Sequence, residues 1–339
     1  MHIQASRNGP TGLHAGAPHS LIEDVSTVFG LVVDEMTLTE QELHAQLQLT
    51  IPAVAEIGAY LAESGGKRFR PLLTVLGARA VGFEGSIGHL GAIGELLHLG
   101  SLLHDDVVDD GQERRGQPAA QKEYGNPAVI LTGDYCVARG LLLSSEHAGH
   151  EAVTRLAWTV TAMSEGEVTQ LLNRGNLDLN VESYMDIVYK KSATLIAWCV
   201  AAGAWGVGDS EAAEALYTYG LSVGTAFQIT DDVLDYTGEK TTTGKRRGRD
   251  LAERKMTLPL LIAMERIPGL RDRLKTGNPS PERIPALLEQ VHASGATDAA
   301  LERARDLVQE GLDALSALPD SPYKTALEQL AHHLVDRIA

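Results

Sequence analysis

Leu102-Leu103-His104-Asp105-Asp106-Val107-Val108-Asp109 and Gln228-Ile229-Thr230-Asp231-Asp232-Val233-Leu234-Asp235 carry one acidic pattern twice, 126 residues apart (231 − 105), each closing an apolar, helix-like run. On a helix of about 3.6 residues per turn, positions i and i+4 lie about 40° apart. Asp105 and Asp109 therefore share a face, as do Asp231 and Asp235, while Asp106 and Asp232 turn aside. Two carboxylates about 4 Å apart near a protein surface repel by about 4 kcal/mol. A chain that builds such a face twice implies cations there. All-oxygen ligands suit Mg²⁺, which keeps several waters and takes phosphate oxygens as further ligands. One DDxxD reads equally well as a solvated helix end; two, each behind a Leu- or Ile-rich segment, do not.

The remainder reads as helix and punctuation. Asp209-Ser210-Glu211 opens a run to Tyr236, Thr39-x-x-Glu42 has the form of a capping box, and Ser280-Pro281 pairs an N-cap with proline at the first helical position. Other helices are expected over 21–35, 50–63, 69–82, 88–110, 127–144, 147–173, 181–206, 255–266, 281–292, 297–317 and 321–338. Gly/Pro/Asn clusters break them at 64–66, 83–86, 111–126, 174–180, 207–209, 237–250 and 274–280. With no alternating strand pattern and no short repeat, one all-α domain over 21–339 is expected. Residues 1–20, rich in Gly, Pro, His and Ser and without a signal-peptide apolar region, read as a mobile tail.

Composition narrows the function. At 339 residues and 44% hydrophobic content the chain can bury a sizeable core, and its net charge of −16 argues against nucleic acid and anionic membranes as partners. No run approaches the roughly 18 apolar residues of a transmembrane helix. Cys136 and Cys199 are too few for a disulfide framework or zinc site, so a reducing cytoplasm is the expected location. The positive charge is clustered: Gly65-Gly66-Lys67-Arg68-Phe69-Arg70-Pro71, Arg114-Arg115-Gly116, and a stretch from Lys240 through Lys245, Arg246, Arg247 and Arg249 to Arg254 and Lys255. Such islands in an acidic protein suggest anions held locally. Counting back from Asp105, Ser101, His98 and Gly94 fall on the Asp105–Asp109 face, a stripe of small or polar residues. The stripe leaves room for something long and apolar beneath the acidic cluster; close helix packing at Gly and Ser is the competing reading.

The motifs together resemble the trans-isoprenyl (polyprenyl) diphosphate synthases. Leu102 to Asp109 followed by Arg114-Arg115-Gly116 is similar to that family's first aspartate-rich motif, and Gly224-x-Ala226-Phe227-Gln228-Ile229-x-Asp231-Asp232-x-Leu234-Asp235 to its second. Gly65-Gly66-Lys67-Arg68-x-Arg70-Pro71, Gly133-Asp134-Tyr135, Glu165-Gly166-Glu167-x-x-Gln170, and Gly248-Arg249-Asp250-Leu251 with Lys255-x-Thr257-Leu258-Pro259 match in order, from about residue 60 to the C-terminus. The resemblance implies the isoprenoid synthase fold, an antiparallel helical bundle around a deep apolar cavity. It implies three Mg²⁺ ions on Asp105, Asp109 and Asp231, with Asp106, Asp232 and Asp235 supporting. The allylic diphosphate would lie on Arg114, Lys191, Ser192, Gln228 and Lys255, and isopentenyl diphosphate on Lys67, Arg70, His98 and Arg115. Among these, Asp105, Asp109, Asp231, Arg114, Lys191 and Lys255 would carry catalysis. A homodimer is implied too. Two departures stand out: Ser192 replaces a common Thr after Lys191, and Arg254 stands where a Gly often precedes Lys255.

The implied reaction is head-to-tail condensation of isopentenyl diphosphate onto an allylic diphosphate, driven by metals and cations that neutralise the leaving diphosphate. The stretch 237–254 is the expected lid against water. In the family, bulky residues four or five positions before the first Asp limit product length; here they are Ser101 and Gly100, so a long all-trans product of C35–C50 is expected. The floor would then lie some 5.4 Å turns deeper, at Leu97, Gly94, Val137, Leu141 or Leu142. A short-chain synthase, a non-catalytic partner subunit and a class I terpene cyclase are the alternatives. The retained carboxylates and cations count against the second, and the full second DDxxD against the third.

Overall fold

The computed structural model describes residues 26–114, 116–238, 247–275, 277 and 279–336. A helical turn over 26–31 leads into α1 (Val33–Gln48), followed by α2 (Pro52–Glu63), α3 (Phe69–Ala80) and α4 (Ile87–Val108). A hairpin of two-residue strands, β1 (Glu113–Arg114) and β2 (Gln117–Pro118), precedes α5 (Ala120–Tyr124), α6 (Asn126–His147) and α7 (Gly149–Leu172). Then come α8 (Val181–Val188), a π-helical turn (Tyr189–Ala193), α9 (Thr194–Val207), α10 (Ser210–Thr237) and α11 (Arg249–Ala252). The chain ends with α12 (Leu258–Arg266), α13 (Leu270–Lys275), α14 (Ile284–Ala293), α15 (Ala296–Leu315) and α16 (Pro322–Asp336). The all-α expectation holds, with the small hairpin as an unforeseen addition.

The fold is organised around α9, whose residues from Thr194 to Ala204 are all buried. A helix apolar on every side needs neighbours on every side. It has α3, α7 and α10, with α4 touching one edge. Glycines set how close these helices come: a Cβ on Gly203 would stand 2.5 Å from Ala78 Cα, and one on Gly220 2.5 Å from Ala197 Cα. Farther out, α4 packs along α6 and α1, and α10 along α15. Because α4 and α10 both reach into this core, their acidic C-terminal ends are carried on rigid supports.

Local starts and stops differ from the sequence reading in instructive ways. Asp209 caps α10 as expected, accepting from Ala212 N–H at 2.9 Å. Thr39 does not open a helix: it is buried mid-way along α1, its hydroxyl donating back to Glu35 O at 2.9 Å. Ser280 accepts from Arg283 N–H at 2.8 Å, closing a turn, and α14 begins later at Ile284 with Pro285 in its first turn. α6 is long and apolar enough by composition to cross a membrane, yet it packs along α4 and α7 and carries Asp134 and Arg139. The expected tail, 1–20, lies outside the described residues, as does 239–246 of the expected lid.

Candidate active site

The first acidic motif is tied off by the chain that follows it. Asp109 N–H donates to Asp105 O at 2.9 Å, Asp110 takes a left-handed φ of 47°, and Gly111 N–H returns to Asp106 O at 3.1 Å. The β1–β2 hairpin then folds back and lands Arg114 on Asp106, with Nε 2.7 Å from Oδ1. Gln121 closes the same turn by donating to Asp106 O at 2.6 Å and Gly111 O at 2.7 Å. Asp106 is thus a bracket for Arg114. Its Oδ2 is buried without a hydrogen-bond partner among the described residues.

The second motif is bracketed from the other side. Buried Asp232 receives Tyr184 OH at 2.7 Å and Gln228 Nε2 at 2.9 Å, and Ser192 Oγ in turn donates to Gln228 Oε1 at 3.0 Å. Asp235 accepts from the backbone N–H groups of Arg249 (3.2 Å) and Asp250 (3.0 Å), pinning α11 to the end of α10. Asp231 remains exposed. Ser192 and Lys191 both sit on the π-helical turn, whose widened backbone crosses α7 at Gly166, where a Cβ would come 2.7 Å from Lys191 N. π-turns occur often at functional sites, and this one explains the glycine in Glu165-Gly166-Glu167.

Cations stitch the two motifs together. Lys255 lies 3.8 Å from Asp109 and 2.8 Å from Glu253, and its charge also acts on Asp232. Lys191 bonds Gln170 Oε1 at 2.8 Å and pairs with Glu167. Arg174, which the sequence reading passed over, pairs with Asp109. A cavity of about 120 Å³ opens among these groups, with Gln170, Arg174, Lys191, Ser192, Gln228 and Lys255 on its polar wall and Leu179, Ile187, Val188 and Met256 supplying apolar surface.

The carboxylates respond to this setting in opposite directions. Burial pushes Asp105 up to about 6, with Glu167 and Asp109 adding to the effect and Lys191 and Arg114 opposing it. Burial also acts to raise Asp109, but Lys255, Arg174 and Lys191 outweigh it and hold the carboxyl below its usual range. Asp232 is lifted by burial to about 6 despite bonds from Tyr184 and Gln228, and Asp250 by burial and the charges of Asp232 and Asp235 to about 8. A poorly compensated Asp105 and an orphaned Asp106 oxygen are what a cation-binding face leaves behind when protein groups alone must neutralise it. Among the described residues no three His, Cys, Asp or Glu converge on one point.

The first basic island begins α3. Lys67 is exposed, Arg70 and His98 are half-buried, and Arg115 lies outside the described residues. Arg70 lies within electrostatic reach of Asp231, and Phe69 stacks on Phe227 with ring centroids 5.4 Å apart, so the start of α3 is joined to α10. Arg68, between the two expected ligands, does something different. In a left-handed conformation (φ 48°), it bonds Glu40 at 2.7 and 2.8 Å, Glu95 at 3.0 Å and Ala62 O at 3.1 Å. Gly133-Asp134-Tyr135 is also structural in its contacts: Asp134 lies 3.3 Å from His104 Nε2, and Tyr135 OH donates to Gln46 O at 2.9 Å.

The product-length positions separate. Ser101 is half-buried on the expected stripe, its hydroxyl donating to His98 O at 2.8 Å. Gly100 is instead a packing glycine: a Cβ there would stand 2.9 Å from Gly133 O and 3.0 Å from Val137 Cγ2. Gly94 likewise abuts Cys199. The competing reading of close helix packing therefore holds at Gly94, and Gly100, off the stripe, stands at a contact between α4 and α6. Of the expected floor positions, Leu97 is buried and Leu142 is exposed.

The family model described as polyprenyl synthetase matches residues 51–291. The chain is 40% identical over 310 residues to an octaprenyl diphosphate synthase of Haemophilus influenzae, covering 89% of this chain and 94% of that protein. It is 36% identical over 314 residues to the octaprenyl diphosphate synthase of Escherichia coli, covering 91% and 97%. Among solved structures, a polyprenyl synthase of Caulobacter crescentus complexed with calcium and isoprenyl diphosphate superposes with a TM-score of 0.88 at 36% identity, over 93% of this chain and 98% of that one. A decaprenyl diphosphate synthase of Rhodobacter capsulatus gives 0.87 at 32% identity, over 93% and 99%.

Proposed function

The chain belongs to the polyprenyl synthetase family, and on that premise we propose that it is a long-chain trans-prenyltransferase, adding isopentenyl diphosphate head-to-tail to an allylic diphosphate to reach C35–C50. The observation that carries this reading is the pair of acidic helix ends joined through Lys255, with Arg114, Arg174 and Lys191 placed around them. Asp105, Asp109 and Asp231 would hold three Mg²⁺ ions on the allylic diphosphate, supported by Asp106, Asp232 and Asp235. When bound, the metal supplies Lewis-acid neutralisation of the departing diphosphate. Arg114, Lys191 and Lys255 add fixed positive charge on the same oxygens, and Gln228 and Ser192 orient them. The C–O bond of the allylic substrate breaks with both electrons leaving on diphosphate. The double bond of isopentenyl diphosphate, held by Lys67, Arg70, His98 and Arg115, attacks the allylic cation, and a proton passes to the departing diphosphate.

Exposed apolar side chains on α6 and α7, Leu131 (63%), Trp158 (70%), Val168 (55%) and Leu172 (80%), support a homodimer. The free, buried thiols of Cys136 and Cys199 suit a reducing compartment, and we place the enzyme in the cytoplasm. Incubation with labelled isopentenyl diphosphate, an allylic primer and Mg²⁺, followed by chromatography of the dephosphorylated products, tests the reading. Products of C35–C50 are expected; no condensation, or termination at C15–C20, contradicts it.

A further inference from the structure

The loop after α7 holds a residue that the motif pattern does not mark. Arg174 pairs with Asp109, the last carboxylate of the first motif, and lines the cavity that Lys191, Ser192, Gln228 and Lys255 also line. Its side chain is 29% exposed and that of Asp109 16%. Charge-assisted bonds in so sheltered a place are among the stronger ones. The Arg174 Nε is buried with no hydrogen-bond partner among the described residues. One edge of the guanidinium is therefore committed to Asp109, while its buried Nε has no hydrogen-bond partner among the described residues.

The backbone of Arg174 is clamped. Gly175 N–H donates to Arg254 O at 2.9 Å, the Arg254 guanidinium reaches Gly175 O at 3.4 Å, and a Cβ on Gly175 would come 2.8 Å from Arg254 Cζ. Arg254 itself stands at a left-handed φ of 56° immediately before Lys255. The clamp therefore fixes Arg174 to the segment that delivers Lys255, and both side chains approach Asp109. Two cations on one carboxylate leave that carboxylate over-neutralised as long as no metal is bound. A cation arriving at Asp109 competes with them for its oxygens, and Arg174 keeps an unpartnered donor and lines the cavity that Lys191 and Lys255 also line.

Resting on the prenyltransferase reading, we propose that Arg174 is an exchangeable counter-ion: it occupies Asp109 in the metal-free site, and when Mg²⁺ claims that carboxylate it turns onto the diphosphate of the allylic substrate. Arg174 would thus oppose metal binding to the empty enzyme and favour substrate binding to the loaded one. The effect couples the two, so that metal is held firmly only when diphosphate arrives to receive the displaced guanidinium.

The two roles predict changes of opposite sign, which a purely structural residue would not produce. In Arg174→Gln, titration of the substrate-free protein with Mn²⁺, followed by the free-ion electron paramagnetic resonance signal, should show metal binding about threefold or more tighter. The KM for the allylic diphosphate should rise about tenfold, a charge-assisted bond's worth, and the KM for isopentenyl diphosphate should stay constant. Arg174→Lys should restore part of the allylic affinity. Unchanged or weaker Mn²⁺ binding in Arg174→Gln, or an unchanged allylic KM, overturns the inference while an active wild type leaves the prenyltransferase reading standing. A wild type that forms no product overturns that reading and this inference together.

Discussion

Replacing Arg68 by Met isolates a buried ion network that the motif pattern conceals. The substitution keeps an unbranched stem of similar length and removes the guanidinium from Glu40, Glu95 and Ala62 O. The two carboxylates contribute unequally. Glu40 is 39% exposed, so its share is worth at most about 1 kcal/mol. Glu95 is 6% exposed, and a buried charge stripped of its partner costs roughly 3–5 kcal/mol. A loss of about 4 kcal/mol in urea unfolding, followed by circular dichroism, is expected. Adding Glu95→Leu to Arg68→Met should recover at least half of it, because the uncompensated charge is then gone. The first turn of α3 also loses its anchor, so the KM for isopentenyl diphosphate should rise with little change in that for the allylic substrate. A single-variant loss under about 1 kcal/mol, or a double variant destabilised by the sum of its parts, refutes the assignment.

Ser101→Phe should shorten the product to C15–C20 by chromatography, whereas Gly100→Tyr should chiefly lower the melting temperature, since its side chain meets Gly133 O and Val137 rather than an open shaft. Gly166→Ala, whose Cβ meets Lys191 N at 2.7 Å, should displace the π-turn and raise the allylic KM about tenfold, with isopentenyl diphosphate affinity retained. Metal-free protein should melt higher at pH 6 than at pH 8. Asp250, lifted to about 8, and Asp105 and Asp232, lifted to about 6, keep protons in the folded state that the unfolded chain releases near pH 4. The folded state then binds more protons across that window, so stability rises as pH falls through it. Saturating Mg²⁺ and diphosphate should flatten the trend. Trp158→Glu should shift the sedimentation coefficient from dimer to monomer.

The acidic motifs were legible because i, i+4 spacing survives folding unchanged: α4 and α10 end where the apolar runs end. Asp209 was legible as a cap for the same local reason. What escaped was non-local. The Thr39-x-x-Glu42 pattern matches a capping box, yet packing against Gly91 on α4 buries Thr39 mid-helix. No periodicity signals the π-turn at Tyr189–Ala193, because it arises where the chain must pass Gly166. Gly94 lies on the stripe and Gly100 off it, and only the positions of Cys199 and α6 reveal that both serve close packing. Arg68 was hidden inside a motif read as a phosphate cradle, and Arg174 inside a loop; their partners lie 28 and 65 residues away in sequence.

The central claim is that two separate helix ends share one set of metal ions on a diphosphate. Electron paramagnetic resonance of Mn²⁺-loaded protein with inorganic diphosphate tests it most directly. Spin-coupled Mn²⁺ is predicted only when diphosphate is present, and the coupling should vanish in both Asp105→Asn and Asp231→Asn. Coupled ions that persist in either variant, or isolated Mn²⁺ at each cluster indifferent to diphosphate, would contradict it.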